Sequence, residues 1–144
     1  MSSLRSFALS FSLVAAQVCA LPAAAQEMDS VFASYVEYSA FVDRHIMRRD
    51  FVPLVLRLGG RDEYREDDLH ALNNQLLATF PVNFFEVSVY RETDLGGGFR
   101  QEARAYWTGV SYAWFYALLH DRGSELVVAM FVLHSDPARI MAEF

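Results

Sequence analysis

The chain has 144 residues, eighteen carboxylates against twelve basic side chains, a net charge of −6 and 53% apolar residues. Every basic residue is arginine, so Schiff-base and lysine general-base chemistry is excluded. The acidic balance argues against nucleic acid or an anionic membrane surface as a partner.

The first element is a targeting segment. Arg5 gives a basic start, Phe7 to Leu21 is mostly apolar, Pro22 breaks the run, and Ala23-Ala24-Ala25 offers small residues to a signal peptidase. The expected division is a signal peptide over 1–25, cleaved after Ala25, and one domain over 26–144, periplasmic or secreted. The run is interrupted by Ser10, Ser12 and Gln17 and falls short of the roughly 20 apolar residues of a membrane span, so no stable anchor is expected after cleavage. Ala16-Gln17-Val18 before Cys19 is a poor lipidation signal. Cys19 leaves with the segment, and the mature chain then has neither a cysteine nucleophile nor a disulfide; it must be held by its core.

Helical periodicity comes next. Asp29 or Ser30 can cap a first helix whose apolar stripe is Val31, Tyr35, Tyr38, Val42 and Ile46, ending near Arg48-Arg49. Asp50 can cap a second, short helix, with Pro53 in its first turn and Gly59-Gly60 as its stop. Asp67 and Asp68 favour the start of a third, with Leu69, Leu72, Leu76 and Leu77 as its stripe and Pro81 closing it. From Val82 the period becomes two. Four strands are expected near 83–92, 99–108, 111–120 and 125–134, joined by a glycine loop at 94–98 and by two-residue turns at Gly109-Val110 and Arg122-Gly123. Asp136 with Pro137 begins a short C-terminal helix. The fold class is therefore α+β: N-terminal helices packed on one face of a four-stranded antiparallel meander.

The turns imply a register. Trp107 should face Tyr112, Ala105 Trp114, Leu118 Val127, and Tyr116 Ala129; on the other side, Ser88 should face Arg104 and Glu86 should face Tyr106. One sheet face then carries Phe85, Val87, Val89, Ala103, Ala105, Trp107, Tyr112, Trp114, Tyr116, Leu118, Val127, Ala129, Phe131 and Leu133 without a charge, and the helices are expected to cover it. The opposite face is polar over the first two strands and apolar over the last two. Its apolar half, Phe115, Leu119, Val128, Met130 and Val132, is a candidate interaction patch that a second subunit, a helix of this chain or a ligand would cover.

This order of elements, from Met28 to His134, resembles the cone-shaped fold of the nuclear transport factor two superfamily, with a cystatin-like arrangement as its neighbour. The resemblance implies a pocket-bearing scaffold of the kind used by isomerases, dehydratases and binding modules, and assigns no residue a role.

The chemistry-bearing residues are few. His45, His70, His120 and His134 have no metal-ligand spacing, so neither a metal nor a cofactor is expected. His120 could pair with Glu125 across its turn. Glu86, Arg104 and Tyr106 on neighbouring strands could bind a small polar ligand, or with Glu102 form a solvated salt-bridge ladder. Aromatic rings mixed with alanines could leave an apolar cavity. The leading reading is a non-enzymatic exported domain that binds a small apolar ligand or a protein partner, or forms a homodimer through its sheet. An isomerase- or dehydratase-like enzyme would need Glu37, Asp43 or His70 inside the cone. A cystatin-like inhibitory module would use the hairpin tip from Leu95 to Phe99 as a wedge.

Overall fold

A computed structural model describes residues 29–60 and 64–144; the expected signal peptide and its cleavage site lie outside them. The architecture is α+β. The order is β1 (Val31–Phe32), α1 (Tyr35–Met47), α2 (Phe51–Val55) running into a π-helical turn (Leu56–Gly60), α3 (Glu66–Thr79), β2 (Glu86–Gly96), β3 (Phe99–Thr108), β4 (Ser111–Asp121), β5 (Leu126–His134) and α4 (Pro137–Met141). The sheet has five strands in the order β1-β5-β4-β3-β2, with each neighbouring pair antiparallel.

The four long strands are the expected meander, and β1 is an addition. Val31 leaves the expected helix stripe, and with Phe32 it pairs with Val127 and Leu126. The helix cap moves accordingly to Ser34, whose Oγ accepts from the Glu37 N–H, while Glu37 reaches back to the Ala33 N–H at 2.7 Å. The remaining stripe is right: Tyr38, Val42 and Ile46 are the buried positions of α1. α2 carries Phe51 and Leu54 into the same core, and Val55 is buried as well. α4 starts where Pro137 allows, capped by the Asp136 carboxylate on the Ala138 N–H.

The covered face is the reverse of the expected one. Tyr106, Ala113, Phe115, Ala117, Leu119, Leu126 and Val128 pack under α1 and α2 with Phe32, Phe80 and Phe84. Ala113 and Ala117 supply the room that helices need, and the two charges on this face, Glu102 and Arg104, neutralise one another beneath α1. Over β3, β4 and the start of β5 the face expected to be the core is the outer one, whereas Val87, Phe131 and Leu133 do pack on the helix-covered core. Only the far end of the outer face is closed, by Ile140 and Phe144 over Ala103 and Tyr116.

The registers explain the rest. Trp107 faces Tyr112 and Ala105 faces Trp114, as the Gly109-Val110 turn implies. On β2 the pairing slips at Tyr90 and again near Leu95, so Glu86 meets Trp107 and Val87 meets Tyr106. An odd slip exchanges faces. On β5 the turn is longer than two residues, with the Arg122 N–H donating to Glu125 O at 2.9 Å. His120 therefore meets Val127 and Leu119 meets Val128, two positions from the expected pairing but with the faces preserved. A bulge at Ala129 then flips the remainder of the strand, and Met130 pairs with Leu118 while Val132 pairs with Tyr116 on the outer face. The side chain of Glu125 pairs with Arg122, whereas His120 stacks on Phe99 with ring centres 3.9 Å apart.

Candidate functional site

Two places stand out: a buried polar cluster between α1 and β3, and a groove between α3 and β5.

The cluster is built on alternate β3 positions, Glu102, Arg104 and Tyr106, facing the buried stripe of α1. Glu102 and Arg104 are 0% and 1% exposed. Arg104 Nε donates to Glu102 Oε1 at 2.6 Å, and its Nη1 donates to Ser39 Oγ at 2.9 Å and Asp43 Oδ1 at 2.8 Å. Its Nη2 donates to the Tyr35 hydroxyl at 3.1 Å, which itself donates to Glu102 Oε2 at 2.6 Å. The Tyr38 hydroxyl donates to Glu102 Oε1, and the Tyr106 hydroxyl to Asp43 Oδ1 at 2.7 Å. Two carboxylates thus surround one guanidinium, and three phenols supply the remaining donors.

The electrostatics reflect that enclosure. Burial, with the Glu102 hydrogen bond added, pushes the Tyr35 phenol up to about 12. Tyr38 and Tyr106 are raised well above the ordinary tyrosine value, first by burial and then by the neighbouring Glu102 and Asp43 charges. Burial opposes the charge on Arg104, yet the Glu102 hydrogen bond and the surrounding negative groups outweigh it and hold the guanidinium above its ordinary value. All three phenols remain protonated donors at neutral pH.

Of the polar trio singled out in the sequence, Arg104 and Tyr106 come together and Glu86 does not. Glu86 is exposed on the other face, opposite Trp107. The trio is therefore neither a solvated ladder nor an open polar site: its two buried members are joined to α1. Sequence reasoning places Tyr35 and Tyr38 in the helix stripe and Asp43 as an acid/base candidate, but misses Ser39 and the joining of all four to Arg104 and Glu102. The signal for that joining was present in the stripe itself, because a buried tyrosine hydroxyl requires a partner.

The interaction patch is divided. Phe115, Leu119 and Val128 are buried under this chain's own helices, while Met130 and Val132 lie on the outer face beyond the bulge. Of the groups an acid/base reading would use, Glu37 caps α1 and the His70 side chain is 71% exposed beside Glu66. Asp43 holds Arg104 and Tyr106. At the hairpin tip Leu95 is exposed, and Phe99 lies on His120.

The groove arises because β1 is short. Ser30, with φ of 66°, turns the chain, so β1 covers β5 only as far as the Val128 N–H, which donates to Ser30 O. From Ala129 onward that edge of β5 has no strand beside it among the described residues. α3 stands opposite, with its leucine stripe half-buried and no residue fully buried. The space between them is about 470 Å³, and its walls include Leu58, Leu72, Leu76, Val128, Phe131 and Leu133. No protein family, curated protein or solved structure matches this chain. Its own geometry is thus the basis for a functional reading. Among the described residues there is no group of histidines or carboxylates arranged to hold a metal ion, and no helix long and apolar enough to cross a membrane.

Proposed function

We propose that this protein is an exported binding domain whose site is the groove between α3 and the uncovered edge of β5, and that its ligand is an extended apolar segment of a protein partner. The observation that carries this reading is the edge itself. Ala129-Met130-Phe131-Val132-Leu133 has no polar side chain, lies on a strand edge that is uncovered among the described residues, and borders a cavity of about 470 Å³ lined mostly by apolar residues, with Ser30 and Tyr64 among the lining. Uncovered edges normally carry charges, prolines or a covering element, because unpaired backbone donors and acceptors recruit further strands. An added strand satisfies those backbone groups, and its alternate side chains enter the groove. The signal-like segment at 1–25 supports export, and helices covering one face of a meander support the likeness to the nuclear transport factor two arrangement.

A peptide library displayed against the purified domain tests this. Selected sequences should alternate apolar residues, and N-methylation of alternate peptide nitrogens should abolish their binding. Met130→Lys should weaken binding without lowering the folding midpoint. Selected peptides that bind the Met130→Lys variant and their own N-methylated forms unchanged would rule out strand addition at this edge.

A further inference from the structure

A second surface, which shares no lining residue with the β5 groove, combines an open cavity with unanswered positive charge. It lies where the C-terminal turn of α1 meets the segment entering β2. Arg44, Met47, Arg48, Asn83, Phe84 and Phe85 enclose about 440 Å³. Helical spacing sets Arg44 and Arg48 one turn apart on one face of α1. The Phe84 N–H donates to Met47 O at 3.0 Å and fixes the incoming segment against the helix. The floor is apolar, with Phe84 buried and Met47 half-buried, while Phe85 is 74% exposed at the rim.

The polar groups here are donors. The Arg48 guanidinium has no hydrogen-bond or ion-pair partner among the described residues, and Arg44 meets only a ring nitrogen of His45 and the face of Phe41. Asp43 is taken by Arg104 and Tyr106 and Asp50 by His45 at 3.0 Å, while Glu86, next to Phe85, lies on the outer sheet face opposite Trp107. Asn83 is oriented by Arg49, whose Nε donates to Asn83 Oδ1 at 2.9 Å. Arginine can only donate, so the atom it meets is the amide oxygen, and the Asn83 NH₂ is left to donate elsewhere. Cations at the end of α1 also answer the helix dipole. The dipole does not account for a phenylalanine left in water beside them, or for an amide whose acceptor has been taken up. In a chain of net charge −6, these donors form a local positive site.

We infer that this cavity binds a carboxylate-bearing amphiphile, with the carboxylate on Arg44, Arg48 and the Asn83 amide and the apolar body against Phe85, Phe84 and Met47. Charge complementarity selects the head group, since a two-oxygen anion matches a pair of guanidinium groups. The exposed ring selects an apolar tail or an aromatic body over a free inorganic anion.

The test is calorimetric titration of the full mature domain with sodium dodecanoate, with dodecanol as the uncharged control and sodium acetate as the headgroup control. Dodecanoate should bind at one site, and acetate should be at least tenfold weaker, as roughly tenfold corresponds to each 1.4 kcal/mol of lost apolar contact. Arg44→Gln with Arg48→Gln should weaken dodecanoate by roughly tenfold or more while leaving dodecanol unchanged. Phe85→Ser should weaken both. These positions are exposed, so the thermal midpoint should stay that of the parent. Met130→Lys, at the β5 groove, should leave dodecanoate binding intact. Failure of parent binding, equal affinity in the double arginine variant, or loss on Met130→Lys would each overturn the assignment; the last would place the ligand in the other groove.

Discussion

Arg104 is the residue on which the interior turns. A lone guanidinium at 1% exposure would be prohibitively unfavourable, and it is tolerated because Glu102, Asp43, Ser39 and the Tyr35 hydroxyl surround it. Such a pair adds little stability relative to a well-packed apolar core, but breaking it leaves a buried charge without compensation. Arg104→Met should therefore cost about 3–5 kcal/mol in urea unfolding. Arg104→Met combined with Glu102→Leu should be more stable than Arg104→Met alone. A double variant no more stable than the single would mean that the Tyr35 and Tyr38 hydroxyls, left without their acceptor, outweigh the removed charge. Strand parity in the sequence puts Glu102, Arg104 and Tyr106 on one face, and the structure agrees. Parity does not say which face meets the helices. Two charges suggest water when each residue is considered separately, and become core residues only once α1 provides partners from more than sixty positions away.

Between elements, the Gly109-Val110 turn was legible, whereas the length of the turn at Arg122-Gly123 and the bulges were not. Gly109 has φ of 55°, and the two-residue turn it opens delivers the Trp107–Tyr112 pairing that its sequence implies. The bulges at Tyr90 and Ala129 have no glycine and no turn signal, so the face exchange they cause is absent from local sequence. Gly98 carries a constraint that the sequence also hides. At the hairpin tip its φ is 83°, the Asp121 N–H donates to its carbonyl at 2.8 Å, and a Cβ there would run into the Asp121 carbonyl oxygen. The tip is thus pinned to the end of β4 by backbone contact. Gly98→Ala should cost about 2–4 kcal/mol, combining a left-handed backbone with a forced shift of β4. Gly97→Ala, with φ of 61° and no close neighbour, should cost only the backbone part, about 1–2 kcal/mol, in the same thermal or urea measurement. Equal losses at the two sites would mean that the contact with Asp121 relaxes freely.

Across the whole molecule, stability is distributed unevenly, and the unevenness bears on binding. α1 is anchored by Tyr38, Val42 and Ile46 and by the Arg104 cluster, and β3 and β4 are paired on both sides. α3 is different: Leu69, Leu72, Leu76 and Leu77 are only half-buried, and its first turn is largely solvent-facing. Its leucine stripe was plain in the sequence, but a stripe specifies a face to be covered without saying how completely this chain covers it. Elements with few buried apolar contacts open locally below the global unfolding free energy. The amides of α3 should therefore exchange with an opening free energy about 2–3 kcal/mol below that of β3 and β4, on the order of a hundredfold faster under native conditions. Uniform protection across α3 and the sheet would show that the helix opens only with the whole domain. A segment bound between α3 and β5 adds the missing apolar contacts on the helix's inner side, so it should raise protection of α3 selectively and leave β3 unchanged. Dodecanoate at the end of α1 should leave α3 exchange as it is. Hydrogen exchange thereby separates the two grooves by what each ligand steadies, with no need to know the natural partner.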